Sequence, residues 1–71
     1  MKLKDVELKE GEVLEIGYFN NKGRESLEGR RYQVVSGRGF ELIKDGAPEV
    51  EVYKTNNGYA SKFIMKKKGL I

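Results

Sequence analysis

Seventy-one residues with a formal net charge of +3, no cysteine and no histidine describe one small domain, 1–71, with neither a disulfide framework nor a cysteine metal cluster. The commonest metal ligand, which is also the side chain most used for proton transfer near neutral pH, is missing as well. A chain of this length buries only about 60% of the surface it exposes when unfolded, so marginal stability, with a dimer or bound partner supplying the remainder, is expected.

Charge is laid out in blocks: residues 1–19 carry −2, residues 20–39 carry +3, residues 40–53 carry −3 and residues 54–71 carry +5. That layout is more informative than the total. Met1-Lys2-Leu3-Lys4-Asp5-Val6-Glu7 holds no apolar run fit for a signal peptide or a bilayer span, so a cytoplasmic location without a membrane partner is expected.

In chain order, Leu3 to Leu8 and Glu12 to Tyr18 flank Lys9-Glu10-Gly11, which reads as a three-residue hairpin loop ending in a glycine of positive φ. That register puts Val6, Leu8, Leu14 and Ile16 on one side and sets Asp5 opposite Glu15, a mildly unfavourable pair. Residues 20–29 are polar and rich in turn formers, with Leu27 their one apolar member. A connection of that length in so small a domain suggests a binding element.

A second hairpin is expected with Gly37-Arg38-Gly39 at its tip and Gly39 left-handed. Tyr32, Val34, Phe40 and Leu42 then point inward, while Arg31, Gln33, Val35, Glu41 and Ile43 point outward, with Arg31 opposite Asp45. Residues 44–49, with an Asp-Gly step and the chain's one proline, make a turn. Asn57-Gly58 is the favoured pair for a type I′ hairpin turn. It sets Val52 against Phe63, Val50 against Met65 and Glu49 against Lys66. Ser61 to Lys68 can also be read as a short helix capped by Ser61 and stopped at Gly69; the register favours the strand.

The expected fold is all-β: a small antiparallel meander of about five to six strands, curled into an SH3-like or OB-like barrel or a strongly bent sheet. Its core is Val6, Leu8, Leu14, Ile16, Tyr32, Val34, Phe40, Leu42, Val50, Val52, Phe63 and Met65. Two short stretches agree with that class. Tyr18-Phe19-Asn20-Asn21-Lys22-Gly23, echoed by Arg38-Gly39-Phe40, resembles the start of the cold-shock domain signature. Gly11-Glu12-Val13-Leu14-Glu15-Ile16-Gly17 up to Lys22-Gly23 is similar to the SH3-like motif of ribosomal and elongation proteins. Each resemblance covers under a third of the chain and implies a small barrel.

Catalysis is the easiest class to discount. Without His or Cys, the nucleophile would be Ser26, Ser36, Ser61 or Thr55 activated by lysine, or a carboxylate pair would act as acid and base. The carboxylates read better as solvated strand-face charges, so neither an enzyme nor a cofactor is expected. Gly37-Arg38-Gly39 lacks the dinucleotide and P-loop spacings, with no helix expected after it. Residues 45–49 do not match a calcium loop, so no metal is expected.

Positive charge offers more. All four arginines, Arg24, Arg30, Arg31 and Arg38, fall within fifteen residues, and arginine is the better phosphate and base ligand. Tyrosines are interleaved with lysines at Tyr53-Lys54 and between Tyr59 and Lys62, the pattern of a basic groove that holds a single strand by charge and stacking. The first expectation is therefore a nucleic-acid-binding protein, for single-stranded DNA or RNA with little sequence specificity. Its site is Arg24, Arg30, Arg31, Arg38, Tyr53, Lys54, Tyr59 and Lys62. The rival is a protein-binding accessory or inhibitor module. It would meet a protein partner or a second copy through Val35, Ile43 and Ile64, beside the acidic face of Glu41, Asp45, Glu49 and Glu51.

Overall fold

The computed structural model of the chain describes residues 1–19, 25–26 and 32–71. After a 3-10 turn at Leu3–Asp5, the elements are β1 (Val13–Phe19), β2 (Glu25–Ser26), β3 (Tyr32–Val35), α1 (Arg38–Gly46), β4 (Val52–Thr55), β5 (Gly58–Ser61) and α2 (Lys62–Lys67). Four strands form an open mixed sheet in the order β3-β1-β5-β4, and β2 pairs with the tip of β1. β1 and β5 run parallel; β1–β3 and β4–β5 are antiparallel. The expected all-β meander and its barrel, which both resemblances implied, are thus corrected to a mixed α/β sheet that stays open.

β1 is the hub, because it has a neighbour on each side. Leu14 and Ile16 alternate with Glu15 along it, so the sheet has an apolar and a polar face. On the apolar face Leu14 pairs with Val35 of β3 and Tyr59 of β5. Leu3, Val6, Phe40 and Val52 join Leu14 and Ile16 in one buried cluster. On the other face Glu15 pairs with Ala60 and Val34. There α2 lies across the sheet, with Ile64 buried and Lys68 Nζ 2.6 Å from Glu15 Oε2.

The N-terminal segment does not form a hairpin with β1. It runs along the outer edge of β4, where Leu3 N–H donates to the Val50 carbonyl and Val52 N–H to the Met1 carbonyl, both at 2.8 Å. Leu3 and Val6 are spaced by three residues, the repeat of a 3-10 turn, which brings both to the core. Asp5 therefore does not oppose Glu15. The Lys9-Glu10-Gly11 turn is present, with Gly11 at φ +85°. Val6, Leu14 and Ile16 are fully buried and Leu8 packs against them, so the inward set was right although its pairing was not.

The expected central hairpin is a strand followed by a helix. β3 stops at Val35, and the chain enters α1 through Gly37 at φ +58° and ψ −131°; Gly37, not Gly39, takes the positive φ. Phe40, Ile43 and Ala47 recur at helical spacing and reach the core, which leaves Arg38, Glu41, Leu42 and Asp45 on the outer side. Val34 and Leu42, expected inside, are 57% and 73% exposed. Val35 and Ile43, expected outside, pack on the core. The Tyr32 side chain lies outside the described residues, as does Arg31, expected opposite Asp45.

The last hairpin pairs Val52 with Ser61 and Thr55 with Gly58, so each β4 residue meets a partner two positions earlier than expected, with the two-residue loop moved back by one. Its loop is Asn56-Asn57, and Gly58 opens β5. The shift follows from β1: a Cβ on Gly58, at φ +146°, would stand 2.2 Å from the Val13 carbonyl oxygen. Only glycine lets the two backbones approach so closely. The strand expected beyond Ser61 is instead α2, the helical alternative. Ser61 Oγ accepts from Ile64 N–H at 3.3 Å, an N-cap. Gly69, at φ +74°, closes the other end: Gly69 N–H donates to the Lys66 carbonyl at 3.0 Å and Leu70 N–H to the Met65 carbonyl at 2.9 Å, a Schellman pair. Phe63 and Met65 are only partly buried while Ile64, expected at the surface, is in the interior.

Candidate anion-binding face

Lysine partners decide where positive charge remains available. Along the N-terminal edge, Lys2 Nζ lies 3.5 Å from Glu51 Oε2 and Lys4 Nζ 3.1 Å from Glu49 Oε1. Glu49 thus pairs with Lys4 rather than with Lys66. Lys44 Nζ donates to the Val6 carbonyl at 2.9 Å and lies over the Phe40 ring. Lys68 is held by Glu15. Lys54 Nζ donates to Glu12 Oε2 at 2.9 Å and sits 4.8 Å from the centre of the Tyr59 ring. These contacts leave Lys9, Arg38, Lys62 and Lys66 exposed with no acid in salt-bridge range among the described residues, and of these only Lys62 and Lys66 share an element.

The Glu12–Lys54 pair is shifted on both sides. The Lys54 ammonium, with Lys9 N–H as a second donor, holds the Glu12 carboxyl below its ordinary value of 4.5. The same hydrogen bond raises Lys54. Both groups are therefore charged throughout the neutral range, and the charge of Lys54 is already directed to a partner within the chain.

Of the eight residues expected to form the site, Arg24, Arg30 and Arg31 lie outside the described residues. Arg38 opens α1 and Lys62 opens α2, on opposite faces of the sheet, so these two do not share a patch. Tyr59 packs on the core beneath Lys54, which leaves it no free ring face for stacking on that side. Tyr53 pairs with Ala60 on the α2 side of the sheet and is partly buried. The sequence reading missed Lys66. Its signal was the four-residue spacing from Lys62 between a serine cap and a glycine stop, which puts both ammonium groups on one side of the helix.

Beside α2 lies an open cleft of about 300 Å³, lined by Lys54, Thr55, Asn56, Asn57, Met65, Lys68, Leu70 and Glu15. Its two ammonium groups are engaged by Glu12 and Glu15, so the donors left to a ligand are the side-chain amides of Asn56 and Asn57, and Met65 with Leu70 forms an apolar wall. A second open cleft, of about 390 Å³, runs past Leu8, Lys9, Glu10, Gly11, Glu12 and Gly37; its two glutamates suit an anion less well. Among the described residues no group of three or more carboxylates could hold a metal ion, and no helix is long and apolar enough to cross a membrane.

Val35, Ile43 and Ile64, the expected contacts to a partner, are packed on the core or buried. The described apolar side chains at the surface are instead Met1, Tyr18, Val34, Leu42, Leu70 and Ile71. Neither a protein-family model nor a curated protein nor a solved structure matches the chain significantly.

Proposed function

We propose that the protein is a small binding module for a polyanion, single-stranded DNA or RNA first of all, which it meets with the lysine side of α2 and the cleft next to it. The observation that carries this reading is the pairing pattern. Carboxylates within the chain engage Lys2, Lys4, Lys54 and Lys68, while Lys62 and Lys66 stand exposed one helical turn apart. Ammonium groups in that position are point charges for phosphates, and they carry no base specificity. Tyr53, beside α2 and partly buried, is the ring placed to stack on a base.

Fluorescence anisotropy of a short labelled single strand, titrated at two salt concentrations, tests the proposal. If about three phosphates are neutralised, log K falls with log salt at a slope near −2. The Lys62→Glu, Lys66→Glu double variant should lose binding at every salt concentration. Absence of binding at low salt, or binding indifferent to salt, refutes the reading. A protein-binding module is the second reading, and Leu42, exposed in the middle of a helix face, is the observation that favours it.

A further inference from the structure

The outer sides of the two helices differ in charge: that of α2 carries lysines, and that of α1 carries two acids with Arg38 in its first turn. On α1, Glu41 and Asp45 stand four residues apart with Leu42 between them, and neither acid has an ion-pair partner among the described residues. On α2, Lys62 and Lys66 stand at the same four-residue spacing, followed by Leu70 and Ile71. Four residues of helix rise about 6 Å, so the acids of one helix and the lysines of the other match in separation as well as in sign. Leu42 is 73% exposed, Leu70 62% and Ile71 52%. Leu42 lies between the two acids in the chain, and Leu70 and Ile71 follow the lysines just past Gly69, with Leu70 beside Met65 and Lys68.

We infer that the outer side of α1 is a docking surface for the α2 side of a second copy of this chain. Glu41 and Asp45 meet Lys62 and Lys66, and Leu42 meets Leu70 and Ile71. The two surfaces cannot meet within one molecule, because α1 and α2 cover opposite faces of the sheet. For the same reason one molecule can use both at once. The contact is heterologous, head to tail, and it extends into chains unless its rotation closes a ring. It covers one short helix face on each side, below the area of stable complexes, so association is weak and concentration-dependent. Because solvent-exposed charges supply part of it, salt weakens it. The α2 side is also the one proposed to meet a polyanion, so bound nucleic acid and a second copy exclude each other there.

Sedimentation velocity of the full chain at low salt tests this. The weight-average sedimentation coefficient should rise with concentration past the value of a dimer and return to that of a monomer at high salt. E41K/D45K and K62E/K66E should each remain monomeric. Mixed in equal amounts they should associate again, since each then offers the surface that the other lacks. Leu42→Ser, which keeps every charge, should weaken association several-fold. A wild-type chain that stays monomeric at all concentrations overturns the inference. So does E41K/D45K associating like wild type, or a mixture that fails to recover while both variants melt like wild type. E41K/D45K leaves the lysines of α2 intact. Its anisotropy titration therefore separates failure of self-association from failure of anion binding.

Discussion

On one face of the sheet α1 is held by what its side chains bury; on the other α2 buries Ile64 and depends besides on three small residues, two glycines and a serine cap. α1 enters through Gly37 without a side-chain cap, and its attachment is Phe40 and Ile43 against Leu3, Val6 and Leu14. α2 follows a strand that can lie beside β1 only because Gly58 has no Cβ; it starts on the Ser61 hydroxyl and ends on left-handed Gly69. The two halves should therefore fail in different ways. The α1 side answers to volume lost from the core, and the α2 side to the identity of a few small residues.

The largest expected effect tests the backbone-held side. Gly58→Ala places a Cβ 2.2 Å from the Val13 carbonyl oxygen and 2.8 Å from its nitrogen, atoms that cannot swing away as a side chain could. β1 and β5 must part, with loss of the Val13 N–H to Asn57 carbonyl bond of 2.9 Å. A domain of this length has about 4–10 kcal/mol of stability to lose, and a backbone clash between paired strands exceeds about 4 kcal/mol. Circular dichroism should show no cooperative melt. A variant melting within a few degrees of wild type would remove the contrast between the halves.

Phe40→Ala comes next and probes the side held by burial. The ring is 4% exposed, and truncating a buried phenylalanine costs about 3–5 kcal/mol. Urea unfolding followed by far-UV circular dichroism should place the loss near the lower end, because α1 lies at the surface of a thin core and can settle inward. Leu42→Ala, one step further round the same helix, should change stability by less than about 0.5 kcal/mol. Equal losses at the two positions would mean that α1 is not held by one buried side.

The same contrast explains what could be read without the structure. Phe40, Val52, Leu14 and Ile16 were legible as core because each faces inward under either a strand or a helix reading of its neighbours. The α1 segment was not legible as a helix, since Phe40 and Leu42 alternate with period two while Phe40, Ile43 and Ala47 recur with period three to four. Taking the first period turned Val34 and Leu42 inward and Val35 and Ile43 outward, the reverse of their positions. The β4–β5 hairpin was found two residues out of register. Such a slip leaves every side chain on its own face and is invisible to hydrophobic pattern. The parallel β1–β5 pair left no local mark at all, because it joins residues more than forty positions apart. At the candidate site Lys62 was legible from its charge. The engagement of Lys54 by Glu12, 42 residues away, was not.

The smallest expected effect is the acid limb of stability, and Glu12 connects it to both halves, since its carboxylate joins the turn before β1 to Lys54 of β4. Hydrogen bonds from Lys54 and from Lys9 N–H lower its pKa in the folded state. Glu51 is lowered likewise by the Met1 ammonium. With both pKa values below the ordinary 4.5, the unfolded chain binds more protons than the folded one as pH drops below that value, so stability falls with pH there. The contribution is complete above the unfolded value and is lost as pH falls through the folded one. Urea midpoints at pH 6 and pH 3 (about 1.5 units either side of the unfolded value) measure it. The wild-type midpoint should be lower at pH 3, and Glu12→Gln, which cannot ionise, should show a smaller drop. Both carboxylates face solvent, which screens these pairs, so the change stays well below that of Phe40→Ala. An equal drop in Glu12→Gln would show that the Lys54 hydrogen bond does not hold this edge of the sheet.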